Sequence, residues 1–280
     1  MVDVPHNFHF VFGLKPQTEP FHIVYFLCLE SCRRVNRPDA IHFHYHYEPY
    51  GPWWERIRPY LRLHRVEPVS FVSRNEAYWN HKEGTFIKQS GLDYAHQSDF
   101  VRLEVLDEHG GVYADIDTLF VNPMPAELYR HEFVLGSEGE MKDPASGRSY
   151  ESLCNALILS RPGARFGRRW LAEMYELFDG TWNRHSCYGA LMLAEKMPDA
   201  VHIAPRRYFY RYRWTREDIA LLLEGVDDDH DGLYSIHLWN HLWWEPSRTD
   251  FSRCSKNLLT EDYIRGVDTT YNLLARRFLD

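Results

Sequence analysis

Apolar and polar positions along the chain predict strands and helices in turn. The apolar run at residues 8–12 is typical of a buried strand, and Gly13 ends it. Residues 18–35 carry apolar side chains three and four positions apart, which predicts a helix with Thr18 as its N-cap. Residues 40–47 alternate histidine with aromatic or apolar side chains, so we predict a second strand there. A strand, a helix and a strand in this order begin an α/β fold.

The central segment has the clearest succession of elements. Residues 98–109 place apolar side chains at helical spacing, and Gly110 and Gly111 then stop the helix because glycine tolerates a left-handed backbone. The apolar run 112–114 predicts a short buried strand directly afterwards.

The later chain continues the alternation of strands and helices. We predict strands at 69–72, 133–137, 155–160 and 201–205, a polar loop at 138–152, and helices at 164–178, 186–197 and 260–279. Because no internal repeat or break in composition divides the sequence, we expect a single domain over residues 1–280.

Composition excludes several classes of protein. The chain is 44% hydrophobic and 26% charged, as in ordinary globular domains, and its net charge of −8 argues against a nucleic-acid partner. Its five cysteines are scattered and odd in number, so we expect free thiols. No run approaches the roughly 18 apolar residues that span a bilayer, and no signal peptide begins the sequence. The simplest expectation is therefore a cytoplasmic protein.

Two carboxylates end the predicted strand at 112–114. Asp115 and Asp117 are two residues apart, so on an extended chain they point the same way and repel each other. A divalent cation removes that repulsion and suits oxygen ligands. An Asp-x-Asp pair alone is also common in solvated turns, but a helix, a glycine stop and a buried strand before it form a much rarer arrangement.

The pattern Ser98-Asp99-x-x-Arg102, then Gly110-Gly111-Val112-Tyr113-x-Asp115-x-Asp117, resembles the sugar-binding region of the Asp-x-Asp glycosyltransferases. The resemblance is greatest to glycosyltransferase family 32, with its mannosyltransferase and α-1,4-galactosyltransferase relatives, and more distantly to the clostridial glucosylating toxins. It implies a GT-A-type α/β domain with a mixed, mostly parallel sheet and helices on both faces.

The resemblance also implies roles for particular residues. Asp117 and His237 would ligate a divalent metal directly, with Mn²⁺ favoured and Mg²⁺ as the alternative, and Asp115 would ligate it partly through water. Arg102, with Asp115 and Asp117, would act in catalysis. The donor-binding residues would be Phe12, Asp99, Arg102, Asp115, Asn155, Trp239 and Asn240.

The implied reaction moves a hexose from a nucleoside-diphosphate sugar to a hydroxyl of a glycan, a lipid-linked glycan or a protein, with retention of configuration. UDP is favoured as the nucleotide, and GDP stays open. Two alternatives remain: a metal-dependent nucleotide-sugar phosphohydrolase and a non-catalytic sugar-nucleotide-binding protein. The first predicts cleavage without an acceptor, and the second predicts binding without turnover.

Two further segments carry chemistry of their own. His42, His44 and His46 share one strand face, which suggests zinc, but three histidines in line cannot easily surround an ion, so we favour a half-exposed polar face. Residues 52–63 are basic and aromatic, which leaves peripheral contact with a membrane open, although Pro59 favours a packed surface segment.

Overall fold

The computed structural model describes residues 3–67, 77–80, 85–88, 93–142, 149–178 and 184–280 of the 280-residue chain. Its strands are β1 Asn7–Val11, β2 Ala40–Tyr45, β3 Arg62–Arg65, β4 Ala77–Asn80, β5 Thr85–Lys88, β6 Gly111–Ala114, β7 Thr118–Phe120, β8 Phe133–Lys142, β9 Ser149–Ser160, β10 His202–Ala204 and β11 Ser235–His237. Its α-helices are α1 Ile23–Ser31, α2 Pro52–Ile57, α3 Asp93–His109, α4 Arg165–Leu177, α5 Gly189–Lys196, α6 Arg206–Phe209, α7 Arg216–Leu223, α8 Asn240–Trp243, α9 Glu261–Gly266 and α10 Thr270–Ala275.

A seven-stranded sheet forms the centre of the fold, in the order β10-β8-β9-β6-β1-β2-β3. Strand β9 runs antiparallel to both of its neighbours, and the other pairs in this sheet are parallel. A separate two-stranded sheet joins β11 to β7. The predicted α/β architecture, with a mixed and mostly parallel sheet, is confirmed.

Apolar side chains cover both faces of the sheet. Phe8 and Phe10 of β1 belong to a core that includes α1, whereas Val11 belongs to a core built with α3 and α4. Strand β6 divides in the same way, because Val112 faces the first core and Tyr113 the second. The prediction of helices on both faces is therefore confirmed, and burial on both sides explains why these strands have nearly continuous apolar sequences.

The glycine stop between α3 and β6 has the predicted geometry. Gly110 has φ +63° and Gly111 has φ +107°, in the region that side chains with a Cβ rarely adopt. The Gly110 amide donates to Leu106 O at 2.9 Å and so closes the last turn of α3. These two residues reverse the chain between the helix that carries Asp99 and the strand that leads to Asp115.

Several predicted elements differ in their bounds. The first helix begins at Ile23 with His22, rather than Thr18, as its N-cap, because the His22 ring accepts from Val24 N at 3.2 Å. The polar loop expected at 138–152 is wrong where the structure describes it, since β8 and β9 pair there as a hairpin beyond a bulge.

Near the C-terminus, the helix expected at 260–279 is divided. Thr269 caps a new helix after Gly266, so α9 and α10 are separate. The strand predicted at 69–72 lies outside the described residues. All five cysteines are free thiols, as expected.

The histidines of β2 form a patch with neighbouring strands rather than a simple polar face. His44 is buried and His42 is half-buried, and their rings lie about parallel to those of His9 and His64, with planes 14° to 28° apart. We call His9, His42, His44 and His64 the imidazole patch. His46 lies apart from the patch and bonds to Val66 O at 3.0 Å.

Ring nitrogens of the imidazole patch bond in two pairs. His9 Nδ1 lies 3.1 Å from His44 Nε2, and His42 Nδ1 lies 2.8 Å from His64 Nε2. Ligand lone pairs lie in the ring planes, so nearly parallel rings cannot converge on one ion. The geometry therefore agrees with the sequence argument against zinc in this strand.

Candidate active site

The site is built at the carboxyl end of β6, where an α/β sheet presents ligands. Asp115 N donates to Ala156 O at 2.8 Å, which extends the pairing with β9, and Thr118 N donates to Asp115 O at 2.9 Å to close a tight turn. This turn brings both carboxylates, Asp115 and Asp117, out of the strand within three residues. The prediction that a buried strand delivers the pair is confirmed.

A histidine from far along the chain joins the acidic pair. Strand β11 pairs antiparallel with β7 and sets His237 opposite Thr118, directly beside Asp117. His237 Nδ1 lies 3.4 Å from Asp117 Oδ1, and ligand atoms of Asp115, Asp117 and His237 all fall within 4.8 Å of one another. His237 is buried, and its Nδ1 has no hydrogen-bond partner among the described residues. Such an arrangement can hold a divalent cation.

The segment after β11 wraps around Asp117. Trp239 adopts a left-handed backbone, with φ 54°, and this turn lets Asn240 N donate to Asp117 Oδ2 at 3.0 Å. The Trp239 ring is buried, lies 4.3 Å from the His237 ring, and donates its Nε1–H to Tyr212 O at 2.9 Å. Trp239 therefore supports His237 from behind, and contact of Trp239 with a donor stays a prediction.

Asn240 differs from Trp239 in its side chain. Its amide is buried beside the Tyr25 hydroxyl, and neither of its polar atoms makes a hydrogen bond of ordinary geometry with a described residue, although its backbone N–H donates to Asp117. Buried amides are almost always bonded in native proteins, so this group is suited to a ligand.

Helix α3 presents a charged network on the other side of Asp115. Asn155 Nδ2 donates to Asp99 Oδ1 at 2.7 Å, and Arg102 Nη2 lies 3.0 Å from the same oxygen. Arg102 Nη1 donates to Asn155 O at 2.7 Å, and Nη2 lies 3.3 Å from Asp115 Oδ1. Asn155 lies within β9 and not at its start, but the structure does bring it to Asp99 and Arg102. Helix α3, β9 and the acidic turn thus form one continuous polar surface.

Charge and burial compete within this network. Burial raises the pKa of Asp115 and outweighs the opposing effect of Arg102, while Tyr113 donates to its Oδ1 at 2.6 Å. Burial would lower the pKa of Arg102, but Asp115, Tyr113 and Asp99 together raise it, so the guanidinium stays charged. A further positive charge near Asp115 would relieve the cost of burying its carboxylate.

Phe12 lies just beyond the carboxyl end of β1. Its amide donates to His44 O at 3.0 Å, and its half-buried ring packs against Phe21 and Tyr25 at centroid distances of 5.3 and 5.0 Å. The ring therefore lies at the carboxyl end of the sheet, and its stacking on a nucleotide base stays a prediction.

Two buried groups near the site escaped the sequence argument. His185 lies 3.0 Å, through Nε2, from Asp99 Oδ2, and its ring is fully buried. Glu138 is a buried carboxyl in β8 that accepts from Ser152 Oγ at 2.6 Å, and burial raises its pKa. Neither residue belongs to a sequence motif, and Glu138 lies in the segment predicted as a loop. The spacing of residues in the sequence therefore does not reveal that either residue is near the site.

A profile of the family described as glycosyltransferase sugar-binding region containing DXD motif matches residues 59–135. Glucan organizing enzyme 1 of Cryptococcus neoformans var. grubii is 32% identical over 287 residues, covering 99% of this chain and 71% of the relative. Subversion of eukaryotic traffic protein A of Legionella pneumophila is 34% identical over 77 residues, covering 28% of this chain and 11% of the relative.

Among solved structures, the galactosyltransferase LgtC in complex with donor and acceptor sugar analogues aligns with a TM-score of 0.47 and 12% identity, covering 98% of this chain and 96% of that chain. The sequence similarity spans the acidic turn, α3 and the elements that contribute His237 and Asn155. The chain therefore belongs to the enzyme family of glycosyltransferases with a DXD-containing sugar-binding region.

Proposed function

We propose that this enzyme is a metal-dependent, retaining glycosyltransferase that moves a hexose from a nucleoside-diphosphate sugar to a hydroxyl of a glycan. UDP is the favoured nucleotide, and GDP is the alternative. The observation that carries the proposal is the meeting of Asp115, Asp117 and His237, with ligand atoms within 4.8 Å, at the carboxyl end of β6.

The donor set fits a divalent cation. Two carboxylates and one imidazole suit Mn²⁺ better than Mg²⁺, which prefers oxygen ligands alone. The buried Nδ1 of His237, which lacks a partner among the described residues, supports the fit because such an atom is costly unless something binds it. A bound ion would supply Lewis-acid stabilisation of the leaving diphosphate.

The chain's own residues would orient the donor sugar. Asp99 accepts from sugar hydroxyls, Arg102 balances Asp99 and Asp115, and Asn155 fixes the Asp99 carboxylate through its amide. Asn240 offers a buried amide beside Asp117 that makes no hydrogen bond of ordinary geometry with a described residue. In addition, Phe12 would stack on the base.

Retention is proposed to follow from attack on the same face as the leaving group. The acceptor oxygen forms the new bond to the anomeric carbon while the bond from that carbon to the diphosphate oxygen breaks. The acceptor proton passes to the departing diphosphate oxygen. Because the diphosphate itself takes the proton, no protein base is needed for this step.

The acceptor is proposed to be a polysaccharide. Support comes from the relative named glucan organizing enzyme 1, because 99% of this chain aligns with it. Lipid-linked glycans and proteins are the other acceptors to test.

We propose a cytoplasmic location, with residues 52–63 as the segment for any contact with a membrane surface. Within the described part of the chain, no helix has both the length and the apolar character needed to cross a bilayer.

A thermal-shift panel tests the proposal. UDP- and GDP-sugars are added with and without Mn²⁺ to wild type and to Asp117→Ala. A ligand at about 100 times its Kd adds about 2.7 kcal/mol, which is a visible shift. We expect one donor to stabilise wild type only with metal, and Asp117→Ala to show no such shift.

Turnover assays then separate the alternatives. Hexose transfer that requires an acceptor supports the transferase, whereas equal cleavage without any acceptor indicates a phosphohydrolase. Binding without turnover across glucan, lipid-linked and protein acceptors indicates a binding protein. If no nucleotide sugar shifts the wild-type protein, the proposed donor class is wrong.

A further inference from the structure

A buried histidine stands behind the carboxylate that is proposed to hold the donor sugar. His185 lies in a short turn, Arg184–Tyr188, whose backbone kinks at Ser186 before α5, and its ring is fully buried. Its Nε2 lies 3.0 Å from Asp99 Oδ2. No motif in the sequence and no part of the proposed reaction assigns this residue a role.

The direction of the hydrogen bond follows from the carboxylate. Burial alone would raise the pKa of Asp99, but Arg102 and His185 together lower it, so Asp99 is ionised and can only accept. His185 must therefore carry its proton on Nε2 and donate it to Oδ2. The other ring nitrogen, Nδ1, has no hydrogen-bond partner among the described residues.

His185 is held firmly in this orientation. Trp170 donates its Nε1–H to His185 O at 3.1 Å, which fixes the backbone of the turn. The imidazole lies almost parallel to Phe100, 5.9 Å away between centroids, and Phe178 meets it edge-on at 5.0 Å. Its proton therefore points at Asp99 without reorganisation.

A second metal site is the competing interpretation, because ligand atoms of His96, Asp99 and His185 lie within 4.8 Å of one another. The guanidinium of Arg102 argues against it, since Nη2 lies 3.0 Å from Asp99 Oδ1 in a buried setting. A cation between these residues would lie close to that positive charge with Asp99 as its one carboxylate ligand, whereas the cluster at Asp115 offers two carboxylates. The triad is thus built around an ion pair that already exists.

The acceptor positions of Asp99 can be counted. A carboxylate accepts at about four positions, two on each oxygen. Oδ1 receives the Asn155 amide and faces Arg102, and Oδ2 receives His185. Counting contacts from the described residues, one position, on Oδ2, is left, and the Asp99 side chain keeps 11% of its surface exposed.

We propose that His185 is a positioning residue that fixes the Asp99 carboxylate so that its last acceptor position takes a single hydroxyl of the donor sugar. The proposal rests on the proposed function, because it needs a donor sugar at Asp99. His185 would thereby set which hexose is accepted, since an epimer that turns this hydroxyl away leaves a buried acceptor unpaired.

The test compares His185→Phe with His185→Gln. Phenylalanine keeps the ring packing and removes the donor, whereas the glutamine amide reaches the position of Nε2. Each variant is titrated with the nucleoside diphosphate alone and with the nucleotide sugar, using the nucleotide that the donor panel selects. His64→Phe, a half-buried histidine of the imidazole patch, is the matched control.

We expect His185→Phe to bind the nucleoside diphosphate like wild type but the nucleotide sugar about ten- to a hundredfold more weakly, as for loss of a hydrogen bond to a charged group. Its preference between hexose epimers should fall by a similar factor. His185→Gln should recover most of both effects. The control should match wild type in both titrations.

The proposal is overturned if His185→Phe weakens both ligands equally, or neither, because a merely structural residue would not separate the sugar from the nucleotide. It is also overturned if His185→Gln behaves like His185→Phe. Should the phenylalanine variant fail to fold, His185→Asn replaces it, since its shorter amide cannot reach Asp99. Failure of wild type to bind any nucleotide sugar would instead refute the proposed function, so the two failures are distinct.

Discussion

Histidines occur in two contrasting settings in this molecule. In the candidate site, His237 and His185 each face a carboxylate, with Nδ1 of His237 at 3.4 Å from Asp117 and Nε2 of His185 at 3.0 Å from Asp99. In the imidazole patch, histidines face one another, as His9 faces His44 at 3.1 Å. His9 and His44 are buried like the two histidines of the site, so for this pair the difference lies in the partner and not in exposure to solvent.

The partner decides what a buried imidazole can do. A carboxylate accepts a proton or shares a cation with its histidine, which is how metal and substrate sites are made. An imidazole partner must itself be neutral, because two charged rings at this distance repel. The bond between His9 and Gly110 sets the direction of the hydrogen bond between His9 and His44. Because Gly110 O can only accept, His9 donates to it from Nε2, and Nδ1 of His9 accepts a hydrogen bond from Nε2–H of His44. The imidazole patch is therefore a structural cluster of neutral rings, whereas the carboxylates of the site can stabilise a bound positive charge.

The largest expected effect sharpens this contrast at the site. Asp117→Ala removes the carboxylate partner of His237, and we expect kcat to fall at least about 10²–10³-fold, as for the loss of a preorganised electrostatic group. Steady-state rates with the selected donor measure it. Asp228→Ala, which changes an exposed aspartate, should leave kcat within about twofold. Activity of Asp117→Ala within tenfold of wild type would contradict the metal assignment.

The next effect concerns the patch and depends on pH. Burial lowers the pKa of His9 to about 3 and that of His44 to about 2, and repulsion from a neighbouring ring adds to each shift, from His42 at His9 and from His9 at His44. The unfolded chain takes up these protons near pH 6.5 and the folded chain does not, so stability is full above pH 6.5 and declines as the pH falls toward 3.

We therefore expect the free energy of unfolding to drop by about 2 kcal/mol for each of the two rings between pH 7 and pH 5. Urea titrations at pH 7, 6 and 5 measure it. Other groups that face these two rings are His42, His64 and His109, and Arg62 faces His42 in turn. His44→Phe should lower stability at pH 7, where a hydrogen bond is lost, and should make the pH slope shallower because one of the two rings is removed. An unchanged slope would show that the patch is not the acid-sensitive element.

The smallest expected effect tests whether the imidazole patch and the candidate active site are mechanically separate. Gly111 lies between them, and a Cβ there would stand 2.6 Å from Asn7 O and 3.1 Å from His9 Nε2, on a backbone with φ +107°. We expect Gly111→Ala to cost at least about 1–3 kcal/mol of unfolding free energy, because the strained backbone and the close contact with Asn7 O both oppose it. Melting measures the stability, and donor affinity of the folded protein should stay within a few-fold. A much larger loss of affinity would mean that the patch and the site are coupled.

Much of this arrangement could be predicted from the sequence because it is local. Helix α3, the glycine stop at Gly110 and strand β6 follow from spacing over some twenty residues, so the position of Asp115 and Asp117 follows too. His237 was placed beside them only through the resemblance to a family. Nothing local announces that β11 pairs with β7, and this pairing alone sets His237 opposite Thr118.

The remainder depends on contacts that no local pattern encodes. A period of two correctly put His42 and His44 on one face, but it could not show that β1 and β3 would add His9 and His64. His185 reaches Asp99 across 86 positions of sequence. Beyond the bulge, the paired ends of β8 and β9 carry mostly polar side chains, so their composition resembles that of a loop.

The order of the strands has a consequence for how the protein is made. Strand β1 pairs with β6, so Phe8 can pair only after Val112 has been synthesised. The cluster at the acidic turn is complete only when β11, which carries His237, has paired with β7. Contacts this distant carry a large loop-closure entropy and form late in folding. A growing chain could thus complete most of its sheet and still lack a donor site. Donor binding would then report complete folding, which makes it a sensitive probe of refolding.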